Sequence, residues 1–155
     1  IACGWFLVYG FGEQVLISGN SMQPQLSAQD VVLMNRIIYV TGTPDRFDVV
    51  VFEREDGKKN VKRIIGLPGE TVQIRDNRVY INGEPLKEDK MGEVSLAGRA
   101  ADPVRLGEKE YFLLGDNRGS SEDSRFPNIG NVKREQILGK AWFRMLPLLK
   151  LGFVS

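Results

Sequence analysis

Histidine is absent from the 155 residues, and there is a single cysteine, Cys3. The first absence removes every Ser/His/Asp or Cys/His arrangement and every zinc site built on imidazole. The second removes any disulfide within the chain and any Cys-x-x-Cys metal knuckle, so no compartment can be read from disulfides. Cys3 itself, inside an apolar run, reads as a small apolar residue. Charge of one sign is missing too: 21 Lys and Arg stand against 20 Asp and Glu, a net charge of +1. No basic block interrupts that balance, so a nucleic-acid partner is not expected, and nothing implies a metal or an organic cofactor. At this length the chain fits one domain that buries roughly two-thirds of its unfolded surface.

Long hydrophobic runs are scarce. Residues 1–12, IACGWFLVYGFG, are uncharged, yet at about 1.5 Å per residue they cover roughly 18 Å of a hydrocarbon core about 30 Å thick. They cannot span a bilayer alone. Because the chain begins with isoleucine rather than methionine, the stretch reads as the distal end of a membrane helix whose start is missing; an N-terminal strand or core helix is the other reading. A signal peptide is excluded, since no basic n-region precedes the run and no small-residue cleavage pattern closes it.

From residue 13 onward the pattern is that of β structure. Short β-branched runs separated by turn residues occur at 31–40 (VVLMNRIIYV), 47–53 (FDVVVFE), 61–66 (VKRIIG), 71–75 (TVQIR), 78–83 (RVYING) and 110–116 (EYFLLGD). TVQIR and RVYIN alternate apolar with polar residues and are joined through Asp76 and Asn77, residue types that tolerate a tight hairpin. The expected fold is mainly β: an antiparallel sheet or partly open barrel with long loops, forming one domain over 13–155. Residues 87–102 (KEDKMGEVSLAGRAAD) are charged and weakly patterned, a long loop or small excursion between strands. The stretch 141–154 (AWFRMLPLLKLGFV) is mostly apolar but broken by Arg144, Pro147 and Lys150. It reads as an edge of the core, or as a Trp142/Phe143 surface that touches a membrane interface.

Three segments carry chemistry. In LISGNSMQPQL (16–26), Ser21 is either a turn residue or a nucleophile, and a serine hydroxyl attacks only when a base takes its proton. Without histidine that base is a carboxylate or a neutral lysine. Lys62, in NVKRIIGLPGE, lies on a predicted strand among valine and isoleucines, where alternation can turn its side chain inward and burial would disfavour the ammonium. To act near neutral pH its pKa must fall by about 3 from about 10.4, which asks the fold for about 4 kcal/mol. The third segment, LLGDNRGSSEDSRF (113–126), packs carboxylates, guanidiniums and hydroxyls behind an apolar strand.

Together these segments resemble the bacterial type I signal peptidase family. Ser-Met-x-Pro in GNSMQPQL, Lys-Arg-x-x-Gly-x-Pro-Gly in KRIIGLPGE, and Gly-Asp-Asn-Arg followed by Ser-x-Asp-Ser-Arg in GDNRGSSEDSR occur in the family's order and approximate spacing. The resemblance runs from about residue 13 to 145. It implies a membrane-anchored serine endopeptidase of the Ser/Lys-dyad type, on the extracytoplasmic face, whose partners are membrane lipid and preprotein signal peptides with small residues at positions −1 and −3. It further implies Ser21 as nucleophile, Lys62 as general base, Ser121 as the residue orienting the amine, an Asp123–Arg125 ion pair, and Asp116 paired with Arg63. Arg63, next to the base, is expected to oppose its protonation. Gly19 stands where many Gram-negative members have a serine two residues before the nucleophile, as in Gram-positive-like members; Ser18 is one residue too early to replace it as an oxyanion donor. Met22, Leu26 and Val61, flanking the dyad in sequence, are the candidates for the substrate pockets. Two rivals are a self-cleaving repressor-type Ser/Lys peptidase, which leaves the third segment unexplained, and a non-catalytic signal-peptidase-like assembly protein, which would not need both Ser21 and Lys62.

Overall fold

The computed structural model describes residues 2–155. Two helices, α1 (Ala2–Phe11) and α2 (Ile38–Thr41), accompany the strands β1 (Glu13–Leu16), β2 (Val31–Asn35), β3 (Val49–Glu53), β4 (Lys59–Gly66), β5 (Thr71–Arg75) and β6 (Arg78–Ile81). The chain continues through β7 (Glu84–Pro85), β8 (Val104–Arg105), β9 (Glu110–Leu114), β10 (Val132–Lys133), β11 (Ile137–Leu146) and β12 (Gly152–Phe153). Every pairing is antiparallel.

Alternation explains the smaller sheet, in the order β7-β6-β5-β8. Its central hairpin turns at Asp76 (φ 49°) and Asn77 (φ 58°), both left-handed, as the two-residue turn that matches strand twist requires. Val72, Ile74, Val79 and Ile81 then share one face and pack on Ile65, Phe112 and Leu114 of the larger sheet and on Leu106, which follows β8. β3 is apolar on both faces because it lies inside that larger sheet, in the order β1-β2-β11-β3-β4-β9-β10 with β12 added to β11.

The larger sheet is open, one of the two arrangements expected: its path ends at β1 and β10, which do not pair with each other. The run 31–40 is not one strand, because the Asn35 carboxamide accepts the Ile38 N–H at 3.1 Å, an Asx-type turn that ends β2 and starts α2. β11 pairs with β3 over its first residues and with β2 over the rest, and within 141–154 Ala141 is buried while the residues after it are half-buried or exposed, an edge of the core.

At the N-terminus, α1 docks through Gly10, where a Cβ would lie 2.3 Å from Ile37 Cδ1, while Trp5, Phe6, Leu7, Val8 and Tyr9 are exposed. Ile1, part of the expected anchor segment, lies outside the described residues. No helix among them is long and apolar enough to cross a membrane. The excursion 87–102 is tied down: Asp89 holds Arg118 through two hydrogen bonds of 2.8 and 2.9 Å, and Ala100 is fully buried.

Candidate active site

The β4 strand is paired with β3 along Lys59–Arg63, but on its other side β9 joins only from Arg63 onward, through Arg63↔Leu114, Ile64↔Leu113 and Gly66↔Phe112. Its first half therefore presents a free edge. Facing that edge are β1 and the turn that follows it, and between them runs a groove of about 300 Å³. Glu13 to Ser18, Ser21 and Met22 line one wall; Lys59 to Lys62 line the other. A free strand edge along a groove is the geometry that accepts an extended peptide through main-chain hydrogen bonds.

Ser21 and Lys62 meet in this groove, with Lys62 Nζ 2.9 Å from Ser21 Oγ and 3.2 Å from the Val61 carbonyl oxygen. Lys62 is only 3% exposed. Burial pushes its pKa down to about 8; the carboxylates of Asp123, Glu122 and Asp116 pull the other way, and the Arg54 guanidinium adds to the fall. Arg63 does not act as expected. Alternation turns it to the opposite face of β4, where Asp116 grips it bidentately at 2.8 and 2.7 Å and the Phe47 carbonyl accepts a further N–H at 2.9 Å. The cation that bears on the amine comes from the end of β3.

The third motif holds the Ser21 turn in place. Asn117 donates its backbone N–H to the Ser21 carbonyl at 2.9 Å and its side-chain N–H to the Asn20 carbonyl at 3.1 Å. Gly115 is pressed between the two serines: a Cβ there would lie 2.0 Å from Ser121 Oγ and 2.5 Å from the Ser21 carbonyl oxygen, so only glycine fits. Among the described residues the Ser21 N–H donates to no acceptor, which leaves it free for a substrate oxygen. Ser121 Oγ is buried with no hydrogen-bond partner, and the bonds of the Lys62 amine run to Ser21 and Val61 rather than to Ser121.

Asp123 and Arg125 form a buried scaffold beneath this turn. Arg125 donates to Asp123 from Nε at 2.8 Å and from Nη2 at 2.9 Å, and reaches the Leu96, Arg118 and Ser121 carbonyls as well. Asp123 in return accepts the Gly115 N–H at 3.0 Å. Every donor and acceptor of the pair is thereby used, the condition under which a buried ion pair is tolerable.

Of the candidate pocket residues, Met22 and Val61 line the groove, but Leu26 is fully buried behind it with Met22 and Val32 and does not reach the lining. Val15, Leu16 and Ile17 line it and were not anticipated, although the consecutive apolar run they form before the serine turn signals them. Asn117 and Arg54 were also missed. The first is visible only as a turn residue in a polar cluster, and the second sits in a charged hairpin tip that reads as solvated.

The model of the family described as "Signal peptidase, peptidase S26" matches residues 1–146. The "Probable signal peptidase I-2" of Synechocystis sp. is 35% identical over 150 residues, covering 92% of this chain and 67% of that protein. "Signal peptidase I T" of Bacillus subtilis is 37% identical over 146 residues, covering 87% of this chain and 74% of that protein. In three dimensions, the crystal structure of a signal peptidase I from Enterococcus faecalis superposes with a TM-score of 0.54 at 35% identity, over 64% of this chain and 97% of the other.

Proposed function

The chain belongs to the signal peptidase family, peptidase S26, as a signal peptidase I, a serine endopeptidase, and on that premise we propose that it cuts signal peptides from preproteins with a Ser21/Lys62 dyad while held at a membrane. The observation that carries this reading is the 2.9 Å approach of a buried lysine amine to a serine hydroxyl on the free edge of β4.

In the proposed reaction the preprotein lies extended in the groove with its scissile carbonyl carbon at Ser21 Oγ. Neutral Lys62 takes the hydroxyl proton as Oγ bonds to that carbon, and the oxygen that becomes negative is met by the Ser21 N–H. The C–N bond then breaks, Lys62 returns the proton to the leaving amine, and an acyl-enzyme remains. A water deprotonated by the again-neutral Lys62 hydrolyses the ester. Ser121, whose buried hydroxyl has no hydrogen-bond partner of its own, would position the amine as the proton moves; Asp123–Arg125 and Arg63–Asp116 hold the loops that carry the parts. Met22 and Val61 offer shallow apolar walls suited to small residues at −1 and −3.

Membrane attachment is supported by where apolar surface is left uncovered. The α1 residues Trp5 to Tyr9, Leu16 beside the groove, and Leu148, Leu149, Leu151 and Phe153 are all exposed, and the Trp142 indole N–H ties the two termini by donating to the Phe11 carbonyl at 2.8 Å. Such a surface costs nothing where it meets lipid. We place residues 1–12 as the end of an anchor and the groove on the extracytoplasmic face.

The test is cleavage of a detergent-presented preprotein with an Ala-x-Ala site. The wild type should release one product ending at that site, and Ser21→Ala should release none. Equal cleavage by Ser21→Ala would mean that the nucleophile lies elsewhere.

A further inference from the structure

Among the described residues, two buried side-chain polar atoms have no hydrogen-bond partner: Ser121 Oγ and Arg54 Nε. They flank one contact, because Arg54 Nη1 stands 3.6 Å from a carboxylate oxygen of Glu122, the residue after Ser121. Arg54 directly follows β3, and its N–H donates to the Lys58 carbonyl at 2.8 Å, so the β3–β4 ladder extends to it. With Val50 opposite Lys62 and Phe52 opposite Asn60, alternation puts positions 50, 52 and 54 on the face of the sheet that carries Lys62.

An arginine at a hairpin end normally reaches into water, yet this side chain is 17% exposed. Its two carboxylate neighbours, Asp56 at 3.7 Å and Glu122 at 3.6 Å, are themselves 44% and 54% exposed, so solvent screens both contacts. A guanidinium cannot shed its proton. The result is a permanent and weakly compensated positive charge on the flank of the amine. The other charged groups around Lys62 each have an ion-pair partner: Asp123 pairs with Arg125, Asp116 with Arg63, and Glu13, across the groove, with Arg36, although Asp123 pulls on the Lys62 proton more strongly than Arg54 or Glu122 does. Lys59 lines the groove three residues away and is exposed.

Building on the Ser/Lys reading above, we propose that Arg54 and Glu122 are a positioning pair for the dyad, in which Arg54 holds the Ser121 loop against the β3–β4 hairpin and turns a fixed positive charge on Lys62 that Glu122 partly offsets. Removing the cation favours the ammonium, which cannot act as a base; removing the carboxylate favours the neutral amine. The direction of each effect agrees with the opposite pulls of these two side chains on the Lys62 proton.

The experiment is the pH dependence of kcat/KM for cleavage of the Ala-x-Ala preprotein by the full chain and three variants. Arg54→Gln should move the acid limb to higher pH by about half a unit, cutting activity about threefold at pH 7 and little above pH 9. Arg54→Lys, which keeps the charge, should leave the limb in place, and Glu122→Gln should move it to lower pH. Limbs that stay put in both neutral variants, or that shift in the same direction, overturn the proposal, as does a uniform loss at every pH. If Arg54→Gln does not fold, the downward shift in Glu122→Gln, at a half-exposed position, decides the matter. Failure of the underlying dyad reading is distinguishable, because Lys62→Met would then retain activity in the parent protein.

Discussion

Lys62→Met is expected to lower kcat/KM by at least about a thousandfold at every pH from about 6 to 10, since in the proposed reaction it removes the group that moves both protons. The same substitution leaves the fold at least as stable as the wild type at pH 7. The sign follows from the lysine itself. Its pKa in the fold is about 8, against 10.5 for the free side chain, so below pH 8 the ammonium is buried at a cost of roughly 3 kcal/mol. That cost fades as the pH rises from 8 toward 10.5 and is gone above it, where both states are neutral. Methionine fills similar volume with no charge to bury, and Lys62→Arg, which keeps a charge that cannot be lost, should be equally inactive. Activity within tenfold of the wild type in either variant would mean that another group is the base; thermal melts at pH 7 and pH 10 check the stability claim.

Asp123→Ala has the second largest expected effect, and it falls on stability. The substitution strands Arg125, which is 1% exposed, and releases the Gly115 N–H. Breaking one side of a buried pair costs roughly 3–5 kcal/mol, which in a domain of this size lowers the melting temperature by roughly 10 °C. Activity is expected to fall with it, because Gly115, whose N–H the Asp123 carboxylate holds, packs between Ser121 and the Ser21 carbonyl. Asp123→Ala combined with Arg125→Met should recover part of the lost stability without recovering the rate, since an apolar pair no longer leaves a charge unpaired. Denaturant unfolding of the two variants checks this, and an unchanged midpoint in Asp123→Ala would remove the structural role of the pair.

The sequence disclosed the parts of the molecule that depend on neighbours a few residues apart. The hairpin through Asp76 and Asn77 was visible because period-two alternation and turn chemistry are local. Ser21 and Lys62 are 41 positions apart, and only the ordered motifs joined them before the coordinates did. What stayed hidden depended on partners far along the chain. The inward face of Arg54 is set by a register with Lys62 that spacing does not encode, and its charged surroundings, REDGKK, imitate an ordinary solvated tip. Arg63 looked like a neighbour of the base in sequence, yet one residue along a strand is a reversal of face. Leu26 looked like pocket lining and is core, because the turn after Ser21 folds back under the groove, with the Leu26 N–H donating to the Met22 carbonyl at 2.8 Å.

The most direct test of the dyad is the wild-type pH profile of kcat/KM on the detergent-presented preprotein, measured beside Lys62→Met. One acid limb near pH 8 is expected, with the rate rising about tenfold between pH 7 and pH 9 as the amine loses its proton. A flat profile, or a limb in the ordinary carboxylate range, would contradict a neutral lysine as the base.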